Sequence, residues 1–249
     1  MSPMIKALPL AASLVFLASS ALAEPTHVMV RAQAQDAKFI GDHMGGVQIT
    51  ITDARTGSVL AKGLTMGGTG DTPRIMKTPR TRGMSLADSS AAGFDAVLDL
   101  NQPTLVRVEA VGPVGKPGAT IKVSSTRWIL PGRDIVGDGW VLDFPGLVIE
   151  PTATVAPGGA LQISAKVSLM CGCPIEPGGI WNADTYKVEA HLMKGNQEVA
   201  TTVLTYAGQP SKFSGALPAS QAGRYRLRLI AADATTSNVG VVELPVQIR

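Results

Sequence analysis

Short runs of alternating apolar and polar residues recur along this chain, and stretches rich in glycine and proline separate them. Alternation with a period of two is typical of β-strands that bury one face. Turn-forming residues are abundant, with 27 glycines and 17 prolines among 249 residues, and only 16% of the residues are charged. Beyond residue 23, no segment has the three- and four-residue apolar spacing of an amphipathic helix. The sequence therefore predicts an all-β fold.

Residues 1–23 have the pattern of a cleaved signal peptide. Lys6 precedes an apolar stretch, and Ala21-Leu22-Ala23 is an Ala-x-Ala cleavage site. The apolar stretch is shorter than the roughly 20 residues needed to span a bilayer, which disfavours the alternative of a membrane anchor. No cysteine follows the cleavage site to carry a lipid. We therefore expect a periplasmic or secreted protein whose mature chain has no stable membrane span.

Residues 24–145 predict a first antiparallel β-sandwich module. Val47, Ile49 and Ile51 alternate along one strand, and the turn at residues 55–57 leads into the next strand as a hairpin. Further strands are predicted at residues 27–35, 58–62, 94–100, 104–110 and 119–128, followed by a turn-rich connection at residues 130–140.

Residues 63–93 interrupt this pattern as a long loop without periodicity. Loops of this length are usually functional or mobile. Four basic residues lie in the loop, namely Arg74, Lys77, Arg80 and Arg82. We expect them to be exposed to solvent, with an anionic partner as the alternative.

The hairpin at residues 46–57, with Asp53, Thr56 and Gly57 at its turn, resembles the opening hairpin of transthyretin-like and carboxypeptidase-regulatory-like modules. This resemblance implies a small Greek-key sandwich and no activity. The chain departs from those families where the long loop 63–93 replaces a short link to the next strand.

Residues 146–249 predict a second antiparallel β-sandwich module, which begins at the Pro145-Gly146 turn. Seven short strands within about 100 residues are typical of a sandwich. The first two occupy the region up to Leu169, where residues 161–169 alternate inward and outward. The other five strands are predicted at residues 185–193, 198–206, 212–217, 224–231 and 240–248.

The strand rhythm from Tyr186 to Asp233, with a Gly223-x-Tyr225-x-Leu227 motif near its end, resembles immunoglobulin-like periplasmic modules of the YtkA and FixH type. Some members of that group are linked to copper handling and cytochrome oxidase assembly. The resemblance implies an immunoglobulin-like sandwich, and it assigns no metal ligand to this chain.

The only two cysteines, Cys171 and Cys173, flank one glycine in a loop that follows a predicted strand. Two thiolates at this spacing are suited to a soft metal, and Cu(I) accepts two or three sulfur ligands, so Met170 is a candidate third ligand. His191 and Met193 share one face of a predicted strand. They would help to bind the metal if that strand lies beside the cysteine loop.

Other chemistries remain open for the same loop. An oxidising compartment favours a local Cys171–Cys173 disulfide, in which case the loop is a redox element or a rigid clamp. Pairing between chains or thiol exchange is a further alternative. His27, His43 and Met44 show no spacing that predicts a site in the first module.

The sequence favours binding over catalysis. It contains no Gly-x-Ser-x-Gly elbow and no His-Glu-x-x-His motif, and it has only three histidines. The net charge of +3 comes from dispersed basic residues, which excludes a clustered nucleic-acid-binding face. We therefore predict an exported noncatalytic binding protein with copper as its cofactor. The alternatives are a structural or adhesive module that binds another envelope protein, and a thiol-disulfide partner.

Overall fold

The computed structural model of the chain describes residues 23–218 and 221–248. Within these residues, fourteen β-strands form three sheets, and every helix is a single turn of three to five residues. None of the helices in this part of the chain is long and apolar enough to cross a membrane. The predicted all-β class is confirmed. The signal peptide stays a prediction, because residues 1–22 lie outside the described residues.

The strands fall into two consecutive groups, on either side of the Pro145-Gly146 turn. The N-terminal half contains β1 (Glu24–Ala34), β2 (Gln48–Asp53), β3 (Val59–Leu64), β4 (Phe94–Leu100), β5 (Thr104–Gly112), β6 (Ile121–Ile129) and β7 (Ile135–Phe144). The C-terminal half contains β8 (Leu147–Val155), β9 (Leu161–Leu169), β10 (Tyr186–Lys194), β11 (Gln197–Tyr206), β12 (Lys212–Leu217), β13 (Gly223–Asp233) and β14 (Val239–Ile248). Among the described strands no sheet mixes the two groups. The division into two modules at residues 145 and 146 stays a prediction.

The N-terminal half is built from two sheets, ordered β4-β1-β7 and β3-β2-β5-β6. Alternate residues are buried in β1, β2, β4, β5 and the end of β7, as expected for strands with one buried face, whereas β3 has no buried residue. The buried residues include Val28, Val30, Ala32, Ile49, Ile51, Val106, Val108, Leu98 and Phe144, which belong to one apolar cluster. The two sheets therefore pack face to face as a sandwich.

One strand pair of this sandwich differs from the predicted antiparallel arrangement. Strand β1 lies between β4 and β7, and it is antiparallel to β4 but parallel to β7. The central position of β1 explains why its inward residues, Val28 and Val30, are fully buried.

The prediction of a turn-rich connection at residues 130–140 is wrong from Ile135 onward, where β7 begins. The pairing with β1 moves from Val28–Ile135 to Val30–Trp140, so the residues between them bulge out of the sheet. Gly139 has a φ of +73°, and a Cβ atom at this position would collide with the Met29 carbonyl oxygen. The glycines that suggested a turn therefore form a bulge inside a strand.

The long loop is shorter than predicted at its start, because β3 continues to Leu64, and it packs onto the N-terminal sandwich. The Asp138 carboxylate, in the β7 bulge, accepts hydrogen bonds from Ser85 Oγ (2.6 Å), Ala87 N (2.7 Å) and Leu86 N (3.0 Å). The Arg31 guanidinium donates to the carbonyl oxygens of Ala91 and Ala92. The loop is thus fixed by tertiary contacts rather than by a secondary structure of its own.

The same loop has a small apolar core. Ile75, in a single π-helical turn, packs with Ala87, Ala91 and Phe39 in a cluster separate from the main core. The four predicted basic residues of the loop are all exposed. The alternative that they bind an anionic partner stays a prediction.

The C-terminal half is a seven-stranded array ordered β14-β13-β10-β11-β12-β9-β8. Within the described residues, β11 and β12 pair only through Thr205–Ser214 and Tyr206–Phe213, and β8 packs against β13 and β14. The array therefore folds over at β11 and β12 and encloses its buried side chains between two layers. The seven predicted strands are confirmed, and this layering agrees with the sandwich that the resemblance implied.

The two halves contact each other through buried polar groups as well as apolar ones. Asn238 is fully buried, donates from Nδ2 to the Gln35 carbonyl oxygen (3.1 Å) and accepts from Gly146 N (2.8 Å). Lys116 and Glu150 also form an ion pair between the halves at 2.7 Å. These contacts hold Gln35 and Lys116 of the first half against Asn238 and Glu150 of the second.

Candidate functional site

The cysteine turn follows β9 directly. Gly172 N donates to the Leu169 carbonyl oxygen (2.8 Å), and Gly172 has a φ of +74°, a conformation that favours glycine. This reversal brings Cys171 and Cys173 to the same side, and the structure joins them in a disulfide. Cys171 is fully buried and Cys173 is 4% exposed.

Ser211, immediately before β12, anchors the chain as it leaves the cysteine turn. Its hydroxyl accepts a hydrogen bond from Ile175 N (3.1 Å), and its own N–H donates to the Ile175 carbonyl oxygen (2.7 Å). Ser211 is 2% exposed, so water does not compete for these bonds. The turn is therefore held to a neighbouring strand.

The loop beyond Ile175 connects the C-terminal half to the N-terminal half. Glu176 N donates to the Trp181 carbonyl oxygen (3.0 Å), which closes a small loop. The indole Nε1 of Trp181 then donates to the Asp36 carbonyl oxygen across the interface (2.9 Å). Trp181 is thereby fixed beside the cysteine turn.

A cleft of about 440 Å³ lies between the two halves at this place. The N-terminal half contributes polar and basic side chains to its wall, whereas the C-terminal half contributes the cysteine turn and an apolar and aromatic surface. The lining residues are Lys38, His43, Thr69 and Thr72 from the first half, and Cys171, Gly172, Cys173, Pro174, Glu176, Ile180 and Trp181 from the second.

His43 and Met44 approach the cysteine turn at Gly172. A Cβ atom at Gly172 would lie 2.6 Å from His43 Nε2 and 2.7 Å from Met44 Sδ. His43 is exposed toward the cleft, whereas Met44 is only 3% exposed. An imidazole nitrogen and a thioether sulfur of the N-terminal half therefore meet the residue between the two cysteines.

The turn that carries His43 is a short 3₁₀ helix, Asp42–Met44. The long loop supports it, because Asp42 N donates to the Gly67 carbonyl oxygen (2.9 Å) and Gly67 N donates to Asp42 Oδ1 (2.9 Å). Gly115 N donates to the Met44 carbonyl oxygen (2.9 Å). Part of the long loop thus positions the side of the cleft that faces the cysteines.

Lys38 gives the cleft a cationic group. Its ammonium donates to Thr72 Oγ1 (2.9 Å). Burial lowers the pKa of Lys38, and the nearby Asp71 carboxylate partly opposes this effect. The cleft therefore combines a partly desolvated ammonium with the histidine and the sulfur atoms.

Met170, a predicted third sulfur ligand, is next to Cys171 in the chain but faces away from the cleft. It is 1% exposed, and its Cε lies 3.4 Å from the position of a Cβ atom at Gly146. Together with Pro145 and Gly146 it lines a separate cavity of about 130 Å³. The structure does not bring the Met170 sulfur to the cysteine cleft.

His191 and Met193 do not line the cleft at the cysteine turn. They lie five and seven residues beyond Tyr186 on β10, about 16 Å and 23 Å along the strand. His191 Nδ1 is 2.8 Å from Glu198 Oε2, and its buried Nε2 has no hydrogen-bond partner among the described residues. The predicted roles of His191 and Met193 as helper ligands stay predictions.

No group of three His, Cys, Asp or Glu side chains within residues 23–218 and 221–248 is arranged as a ready-made metal site. In the disulfide the two cysteine sulfurs are not available as ligands, because the metal ligand is the thiolate and not the disulfide sulfur. Any metal chemistry at this turn therefore requires the reduced cysteines. The predicted roles of Cys171 and Cys173 as ligands stay predictions.

The sequence predicted no site that includes His43 and Met44, yet the fold places both at the cysteine turn. A local signal was present, since the adjacent His43-Met44 pair offers an imidazole and a thioether immediately before Gly45 and Gly46. Their proximity to the cysteines could not be predicted, because the residues are far apart along the chain and come together only when the two halves pack against each other.

Comparisons with known proteins assign no family. No protein-family model matches the sequence, and no curated protein matches it. Among solved structures, the selenomethionine-substituted chicken interferon gamma receptor alpha chain aligns over 92% of this chain and 99% of its own, with 9% sequence identity and a TM-score of 0.30. A similarity of this size carries no argument about fold or function. The two resemblances noted in the sequence stay predictions.

Proposed function

We propose that this protein is an exported, noncatalytic binding protein that binds a soft metal ion, Cu(I), through reduced Cys171 and Cys173. One observation carries the proposal, namely that both cysteines line the open cleft side by side. Thiolates are soft ligands, and Cu(I) prefers soft ligands in low coordination number. Zinc is less favoured because strong zinc sites combine two such cysteine pairs or a pair with spaced histidines.

Binding requires prior reduction of the disulfide. A dithiol reductant supplies two electrons and two protons, its own two sulfurs become a disulfide, and the Cys171–Cys173 bond opens to two thiols. Cu(I) then replaces the two thiol protons, which are released to solvent. Metal affinity is therefore expected to fall as the pH falls, because protons compete for the same sulfur atoms.

The test is anaerobic titration of the reduced mature protein with Cu(I) against a chromogenic Cu(I) chelator. We expect one Cu(I) per chain, and we expect Cys171→Ser and Cys173→Ser each to abolish stoichiometric binding. Ser168→Ala is the control, because it removes a hydroxyl near the turn and keeps both thiols, and it should bind like the wild type.

Binding that persists in both serine variants would overturn the proposal, and so would failure of the reduced protein to bind Cu(I). The alternative of an interaction module would then be tested by affinity capture from an envelope extract, in which a saturable partner is expected.

A further inference from the structure

We propose that His43 and Met44 complete the metal site, so that one Cu(I) is held by ligands from both halves of the protein. This inference rests on the proposed function, because it presupposes that reduced Cys171 and Cys173 bind the metal. In this site His43 and Met44 take the place of Met170, His191 and Met193, the additional ligands that the sequence suggested.

The position of Gly172 provides the geometric argument. His43 Nε2 and Met44 Sδ converge on this residue, at 2.6 Å and 2.7 Å from the point where a Cβ atom would stand. Covalent geometry keeps each cysteine Sγ within about 7 Å of the Gly172 Cα. After reduction, rotation about χ1 moves each Sγ between staggered positions. Two thiolates, a thioether and an imidazole are thus all neighbours of Gly172.

The identity of the donors argues for Cu(I). Thiolate and thioether sulfurs are soft ligands that select Cu(I), and a neutral imidazole is compatible with it. Met44 is 3% exposed, so its sulfur is shielded from water and from competing oxygen ligands. His43 is exposed and lines the cleft, so its imidazole is accessible to an ion in the cleft.

The His43 turn and the cysteine turn are held by separate sets of hydrogen bonds. The His43 turn is held by Gly67 and Gly115 in the N-terminal half, whereas the cysteine turn is held by Ser211 in the C-terminal half. A metal bound by both turns would therefore link the two halves, and it would be sensitive to changes on either side.

The test compares His43→Gln and Met44→Leu with the matched variants His191→Gln and Met193→Leu. All four proteins are reduced and titrated anaerobically with Cu(I) against the same chelator. We expect the dissociation constant to rise at least about tenfold in the first two variants, a loss typical of a disturbed metal site. We expect the two matched variants to bind like the wild type, because neither side chain lines the cleft.

X-ray absorption of the Cu(I)-loaded protein provides a second measurement, and its wild-type result does not depend on whether a variant folds. Three sulfurs and one nitrogen are expected in the wild type, with one sulfur fewer in Met44→Leu. Binding of Zn²⁺ to the reduced protein should be unchanged in Met44→Leu, because the thioether is not a zinc ligand of choice.

The outcomes separate the two proposals. If binding depends on both cysteines but His43→Gln and Met44→Leu behave like the matched variants, this inference is overturned and the proposed function stands. If the reduced wild type does not bind Cu(I), both fail. If only one of the two variants weakens binding, the four-ligand site is overturned and the other residue is removed from the ligand set.

Discussion

Gly172 is the residue on which the geometry of the cysteine turn depends. Its φ of +74° reverses the chain between the two cysteines, and its missing side chain makes room for His43 and Met44. Backbone conformation and close approach therefore both require glycine at this position. The two requirements can be separated by experiment, because Gly178 has a similar φ of +69° with no atom within 4 Å of an added Cβ.

We expect Gly172→Ala to lower the free energy of unfolding by more than Gly178→Ala. The left-handed conformation costs an alanine about 1 kcal/mol at either position. At Gly172, displacement of His43 and Met44 adds about 1–3 kcal/mol, as for an overpacked core. Equilibrium unfolding in urea measures both values. Equal losses in the two variants would show that the approach of His43 and Met44 is unimportant for stability.

At the scale of elements, the long loop is ordered by a few polar groups of the adjacent sandwich. Burial alone would raise the pKa of Asp138, but the hydrogen bonds from Ser85, Ala87 and Leu86, together with the charge of Arg31, hold this pKa below its ordinary value. A carboxyl group whose pKa is lowered by folding stabilises the folded state above its unfolded-state pKa. That contribution is lost as the pH falls through the folded-state pKa.

We expect Asp138→Asn to destabilise the protein by about 1 kcal/mol at pH 7, a value that allows for the partial exposure of the carboxylate. The difference in the free energy of unfolding between the variant and the wild type should begin to shrink below about pH 3.9, the ordinary pKa of aspartate. It should continue to shrink as the pH falls through the lower folded-state pKa of Asp138. Urea unfolding across this pH range provides the measurement. Asp99→Asn, on the exposed face of β4, is the control, and a difference that is independent of pH would contradict the prediction.

Some strands and loops could be predicted from the sequence, and others could not. Alternation located most strands that bury one face, as for Val47, Ile49 and Ile51, but β7 was missed. The prediction failed at residues 135–140, because a glycine-rich bulge inside a strand and a glycine-rich turn cannot be distinguished by composition. The order of the long loop was not predictable either, since Asp138 and Arg31 stabilise it from elements that are distant along the chain.

At the scale of the whole molecule, the candidate site exists only because the two halves pack together. The cysteines were visible in the sequence, whereas the His43 turn reaches them through an interface that no local pattern encodes. Asn238 is central to this interface, because it is fully buried and bonds to both Gln35 and Gly146.

We expect Asn238→Ala to lower the free energy of unfolding by about 1–3 kcal/mol, because it leaves the Gln35 carbonyl oxygen and the Gly146 N–H without their buried partners. Thermal and urea unfolding measure the loss. Asn196→Ala, at the exposed β10–β11 turn, is the control and should change stability by less than about 0.5 kcal/mol. Comparable losses in both variants would argue against a role for Asn238 in joining the halves.

Trp181 lines the cleft wall and holds its indole N–H against a carbonyl oxygen of the other half. The emission of an indole changes with the polarity and the quenchers around it, so this ring is a built-in optical probe. Filling of the cleft, or a slight parting of the two halves, would shift or quench its fluorescence without any attached dye.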